Sequence, residues 1–151
     1  MIADGIPHVI SLQNANHSDK GWKATSIPKY KSLHEILMDH KLAALGDAYV
    51  NFIFSLALTR RSGEPKGSKV DSRVLAEALK RAGLRNLLPS RISRHVQADA
   101  AEAVIVYAWV QNLISLEESV EILTKRVEDP VEAFRSLLVA VKERETSLSA
   151  S

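Results

Sequence analysis

Three carboxylates have types and spacings that suit chemistry. Asp47 is the one charged residue in the run from Leu42 to Thr59, which is otherwise dominated by Leu, Ala, Ile, Phe and Val. Burying an ionised Asp without a partner costs more than packing returns, so a basic side chain, a set of backbone donors or a metal ion must answer it. Asp99 and Glu102 stand three apart in a second apolar stretch that continues through Val110, and on a helix they project from one face of one turn. Two carboxylates that close repel unless a proton or a cation is shared between them. If the two apolar stretches pack on each other, Asp47 converges with Asp99 and Glu102. Three clustered oxygens of this kind suit a hard divalent ion such as magnesium, which keeps some waters and meets phosphate oxygens through its remaining positions. A structural reading stands beside this one: acids in the first turn of a helix are favoured by its dipole whatever the function, and Asp47 could be tied to an arginine.

The elements that must position these groups all read as helices. Ser32 with Glu35 three residues on forms a capping-box pair that opens a first helix carrying Leu33, Ile36 and Leu37, giving way near Asp39 and His40 to the long Leu42 to Thr59 helix. The stretch Arg60 to Lys69 is a loop by its Gly and Pro content. Asp71 caps a helix with Val74, Leu75, Ala78 and Leu79 that stops at Gly83. A short helix or turn is predicted from Arg91 to His95, and the second apolar helix from about Ala98 to Leu113, with Asp99 and Glu102 at its start. Ser115 with Glu118 opens a helix to about Arg126, and Asp129 followed by Pro130 opens the last one, to about Arg144. No strand and no internal repeat is seen, so the fold class is all-α. Residues 1–30, mixed and aperiodic, read as a flexible N-terminal arm pinned at its end by Trp22 and Tyr30; residues 31–146 form the helical domain and residues 147–151 a disordered tail.

With 151 residues, 46% hydrophobic and 25% charged, the chain fits one globular domain with one core. It has no cysteine, which excludes a disulfide framework, Cys-ligated zinc, iron–sulfur chemistry and a thiol nucleophile, and fits a cytoplasmic location. The apolar run after Lys41 is about 17 residues long, at the lower end for a bilayer span, and carries Asp47 and Asn51; it reads as a core helix, with no membrane partner. The net charge is only +2, yet Arg60 to Arg94 holds ten basic residues against three acids, while Asp99 to Glu145 holds ten acids against five bases. A basic segment of that density is what binding a phosphate backbone needs, although a solvated helix face looks the same in one dimension.

Three segments resemble a known family. Leu42-Ala43-Ala44-Leu45-Gly46-Asp47-Ala48 resembles the signature helix of the ribonuclease III domain, Leu-Glu-Phe-Leu-Gly-Asp-Ala. Val70 to Ala76 looks like the segment in which a Val-Asn pair precedes a Leu-Ala helix, and Asp99-Ala100-Ala101-Glu102-Ala103-Val104-Ile105 is similar to the family's Asp-x-x-Glu-Ala-Leu-Ile helix. The segments occur in the family's order and lie within Leu33 to Leu113, with the closest likeness to short archaeal members that lack an appended double-stranded RNA-binding domain, for which this chain has no room. The resemblance implies a ribonuclease III-like helical bundle. It further implies a homodimer that hydrolyses double-stranded RNA to 5′-phosphate products, with Asp47, Asp99 and Glu102 as catalytic ligands of Mg2+, for which Mn2+ can substitute. The family's usual fourth acid falls on Ala43, a departure shared with the mini-ribonuclease III branch, which has Leu-Ala before its Gly-Asp and cleaves RNA.

Candidate RNA contacts are Arg60, Arg61, Lys66, Lys69, Arg73, Arg91 and Arg94, because A-form RNA is recognised largely by shape. His8, His17, His34, His40 and His95 have no spacing typical of metal ligands and are assigned solvated or capping roles. Two other readings remain. One is a catalytically inactive domain of the same fold, binding RNA or helping to assemble a ribonucleoprotein, which Ala43 favours and the three retained acids oppose. The other is a helical DNA-binding regulator using Lys69 to Gly83, for which no helix-turn-helix spacing is found.

Overall fold

The computed structural model describes residues 27–150. Six α-helices follow one another there: α1 (Leu33–Leu37), α2 (His40–Ser62), α3 (Ser72–Arg81), α4 (Arg94–Val110), α5 (Leu116–Lys125) and α6 (Pro130–Ala150), with a 3-10 turn at Arg85–Leu87 between α3 and α4. No strand occurs among the described residues, and the all-α reading holds.

Local chemistry accounts for where the helices start. Ser32, Asp39, Asp71, Ser93 and Ser115 each accept a hydrogen bond from a backbone N–H of the first turn, and Asp129 accepts one from the Glu132 N–H just ahead of Pro130. Glu35 does reach back in front of α1, but its partner is the Lys31 N–H, at 2.6 Å. α2 ends at Gly63, whose φ of 78° is left-handed, and α3 ends ahead of Gly83, with φ of 80°, where the Leu84 N–H returns to the Leu79 carbonyl.

Two expectations about helix extents are corrected. α4 starts four residues before Ala98, because Ser93 caps it and Arg94 to Gln97 supply its first turn rather than a separate short element. α6 runs on through Ala150, beyond the expected end near Arg144. Residues 1–26, with Trp22 and most of the expected arm, lie outside the described residues; Tyr30 packs on the core as expected and its hydroxyl donates to Asp39, and Ile27 packs on the core too.

The core is a bundle around α4, which packs on α1, α2, α3 and α6. Ten of its 17 residues are buried, as expected of a helix enclosed on nearly every side. α2 is long and apolar enough to cross a membrane by length and composition alone. Instead it lays one face, Leu42, Ala43, Gly46, Val50, Ile53 and Ala57, against the bundle, chiefly along α4 and α5. The opposite face carries Leu45, Ala48 and Phe52 toward solvent, and Asp47 lies at the edge between the two faces.

The crossing of α2 and α4 is tight enough to require glycine. A Cβ at Gly46 would stand 2.2 Å from the Glu102 carbonyl oxygen and 2.5 Å from its carbonyl carbon. Backbone meets backbone at this point, and the contact sets Asp47, the next residue of α2, beside Glu102 of α4.

Candidate functional site

An open cleft of about 670 Å³ lies over that crossing, and its walls include His40, Ala43 and Asp47 from α2, Lys69 from the loop 63–71, and His95, Asp99 and Glu102 from α4. Spacing explains the convergence. His40, Ala43 and Asp47 are three and four apart on α2, and His95, Asp99 and Glu102 are four and three apart on α4, so each set shares one helix face.

The expected acids all reach the cleft, but their environments invert the expectation. Asp47, predicted to be buried by its apolar run, is exposed; it sits at the edge of the packed face of α2, beside Glu102, where the cleft opens to solvent. Glu102 is the buried one, 6% exposed. Asp99 and Glu102 are the sixth and ninth residues of α4, and its first turn holds no acid, so attraction to the helix dipole does not account for them. Nor does an arginine among the described residues pair with Asp47: the Asn51 amide donates to it at 3.3 Å.

Burial raises the Glu102 pKa from its ordinary 4.5 to about 8, assisted by a hydrogen bond to Asp47 and by the negative charges of Asp47 and Asp99, and opposed by the Lys69 ammonium. Glu102 therefore keeps a proton at neutral pH and shares it toward Asp47. Asp99, whose charge acts on Glu102, has its Oδ2 3.9 Å from the Nδ1 of His40. Among the described residues no three His, Asp or Glu side chains are grouped closely enough to hold a metal ion by themselves. What the donor chemistry offers is a pair of hard oxygens one proton short of full charge, with a third carboxylate on the same helix face as Glu102. That set fits a divalent cation completed by water or phosphate oxygens.

Ala43, the position of the family's fourth acid, is 4% exposed and contributes a methyl group to the same wall. The two histidines at the cleft, His40 and His95, were assigned solvated or capping roles; the signal that would have found them is their spacing from Asp47 and Asp99 along each helix. His34 instead has its ring nitrogen 2.9 Å from the Leu87 carbonyl, and His8 and His17 lie outside the described residues.

The basic residues divide. Lys69 lines the cleft. Arg60, Lys66, Arg73, Arg91 and Arg94 are exposed. Arg61 is engaged structurally: its guanidinium meets Glu128 at 3.2 Å and donates to the Thr124 carbonyl at 3.0 Å, tying the end of α2 to the turn between α5 and α6.

Fold and site together define, among the described residues, a helical domain with a carboxylate-lined cleft that Lys69 also lines. A family model described as ribonuclease III matches residues 40–146, and the chain belongs to the ribonuclease III family. Comparison with curated proteins gave no match.

Proposed function

We propose that the protein is a metal-dependent endoribonuclease that hydrolyses phosphodiester bonds of double-stranded RNA, leaving 5′ phosphates. The observation that carries this reading is the Asp47–Glu102 carboxylate pair, with Asp99 beside it, in the open cleft of a ribonuclease III domain. Asp47, Asp99 and Glu102 would hold Mg2+, or Mn2+ in its place, and the ion when bound would supply an activated water and charge neutralisation at the phosphate. Glu102 gives up its proton as the cation arrives, because the charge that raised its pKa is then answered. Lys69 offers its ammonium to a phosphate oxygen at the wall of the cleft, while Arg60, Lys66, Arg73, Arg91 and Arg94 are exposed for backbone contacts along the duplex.

The working unit in this reading is a homodimer. Leu45 is 42% exposed and Phe52 53% exposed, and with Ala48 they form an apolar stripe along α2 next to Asp47. Such a stripe on a long helix suits a second copy of the same helix.

The test is cleavage of a perfect RNA duplex with Mg2+ or Mn2+, running the wild type beside Asp47→Asn and Glu102→Gln. Metal-dependent 5′-phosphate products that disappear in both variants are expected. A second reading, an RNA-binding or assembly module without catalysis, is favoured by Ala43 and by the lack, among the described residues, of three His, Asp or Glu side chains grouped closely enough to hold a metal ion. A wild type that binds duplex RNA and leaves it intact with every metal tried selects that alternative.

A further inference from the structure

α2 grips the loop that follows it through a row of three polar side chains. The Val70 N–H donates to the Asn51 Oδ1 at 2.8 Å. One helical turn on, the Ser55 hydroxyl accepts from the Ser68 N–H at 2.9 Å and donates to the Ser68 carbonyl at 3.1 Å. One turn further, the Thr59 hydroxyl accepts from the Lys66 N–H at 3.0 Å. Helix positions 51, 55 and 59 thus hold loop positions 70, 68 and 66, with the loop running antiparallel to the helix. The repeats keep step because four helical residues advance about 6.0 Å and two extended residues about 6.6 Å. Lys69 falls between two clasped positions and lines the cleft.

Asn51 differs from the other two members of this row. While its carbonyl oxygen holds Val70, its amide nitrogen donates to Asp47 Oδ1, four residues back on α2. One side chain is therefore bonded both to a cleft carboxylate and to the backbone beside Lys69.

We infer that Asn51 is a positioning residue that fixes the Asp47 carboxylate and the register of the Lys69 segment together, so that the anionic and cationic walls of the cleft are set by one amide. The inference rests on the proposed role of Asp47 as a ligand of a divalent cation. Asn51 holds the Asp47 Oδ1 through its N–H, and the same carboxylate is hydrogen-bonded with Glu102. It acts through Asp47 and Val70 and touches no reacting atom.

Two readouts test it without relying on turnover: the affinity for Mn2+, followed by electron paramagnetic resonance, and amide hydrogen exchange in residues 66–70. Asn51→Leu, close in size but without the amide, is expected to speed exchange at Val70 and to weaken Mn2+ binding by about 10- to 100-fold, as loss of a partner behind a metal ligand does. Ser55→Ala is expected to speed exchange at Ser68 while Mn2+ affinity stays within about twofold of wild type. Asn51→Ala gives the same reading should the leucine variant not fold. Unchanged Mn2+ affinity in the Asn51 variants overturns the inference, and so does an equal loss in Ser55→Ala, which would make loop order alone responsible. A wild type that neither binds Mn2+ nor cuts duplex RNA removes the proposed nuclease and this inference with it. A wild type that does both, beside Asn51 variants that bind Mn2+ equally well, removes the inference alone.

Discussion

Replacing Gly46 by Ala tests whether the helix crossing is what assembles the site. An added Cβ would lie 2.2 Å from the Glu102 carbonyl oxygen, where contacts of 3.4 Å or more are ordinary, so α2 and α4 must part by about 1 Å. The obstacle is backbone on the α4 side, and no rotamer change relieves it. Overpacking of this kind costs about 1–3 kcal/mol, and the upper end applies to a clash between two backbones. Ala is the better helix former by about 1 kcal/mol, which offsets part of that. The net loss of about 2 kcal/mol corresponds to a fall in Tm of roughly 4–8 °C for a domain of this size. Thermal unfolding followed by circular dichroism measures it. Gly67→Ala is the control, because a Cβ there meets nothing within 4 Å, and its Tm should stay within about 1 °C of wild type. Since the displaced atoms belong to Glu102 itself, Gly46→Ala should also weaken Mn2+ binding at temperatures where the variant is fully folded. A Gly46→Ala protein as stable as wild type, or more so, would refute the reasoning, because helix propensity alone would then be deciding the outcome.

Glu102 makes two further expectations. Its folded-state pKa of about 8 lies above its ordinary 4.5, so between those values the folded chain holds a proton that the unfolded chain has released. With metal chelated, this group should therefore lower stability by up to about 1.4 kcal/mol per pH unit as pH rises from roughly 4.5 toward 8 and then level off; denaturant titrations of the wild type against Glu102→Gln, which cannot titrate, should show the difference. The same proton must leave when a cation binds at pH 7, so calorimetry in two buffers of different ionisation enthalpy should report close to one proton released, and a value of zero would contradict the assignment. Phe52→Glu alters a side chain that is 53% exposed, so it should change monomer stability by no more than about 0.5 kcal/mol while abolishing self-association in sedimentation runs. Self-association that persists in this variant would place the dimer contact elsewhere.

Much of the fold was legible because helix ends are written in short-range chemistry. Ser32, Asp71, Ser115 and the Asp129–Pro130 pair each satisfy a backbone donor or a fixed φ within three residues, and neighbours in sequence suffice to see that. The start of α4 was misplaced because Ser93 was not recognised as a cap, and that one omission put Asp99 and Glu102 in a first turn they do not occupy. The presence of the three acids in one cleft was also legible, from their spacing and from the resemblance of the segments around Asp47 and Asp99.

Burial was not legible. Leu42 to Thr59 is apolar except for one narrow row, Asp47, Asn51, Ser55 and Thr59, and the apolar residues on both sides of that row do not say which face meets the bundle, so Asp47 reads as buried when it is exposed. Only the packing of α2 across α4 at Gly46 decides that Glu102, rather than Asp47, is the acid that loses its water and keeps its proton. The role of Asn51 was likewise out of reach, because it meets Val70 across 19 residues, and although Lys69 was named as an RNA contact, its charge effect on Glu102 depends on how α3 folds back between them. The sequence alone determined which groups are present and which helices carry them. The tertiary structure decided their solvation and their partners, since both depend on atoms that the chain brings together only when it folds.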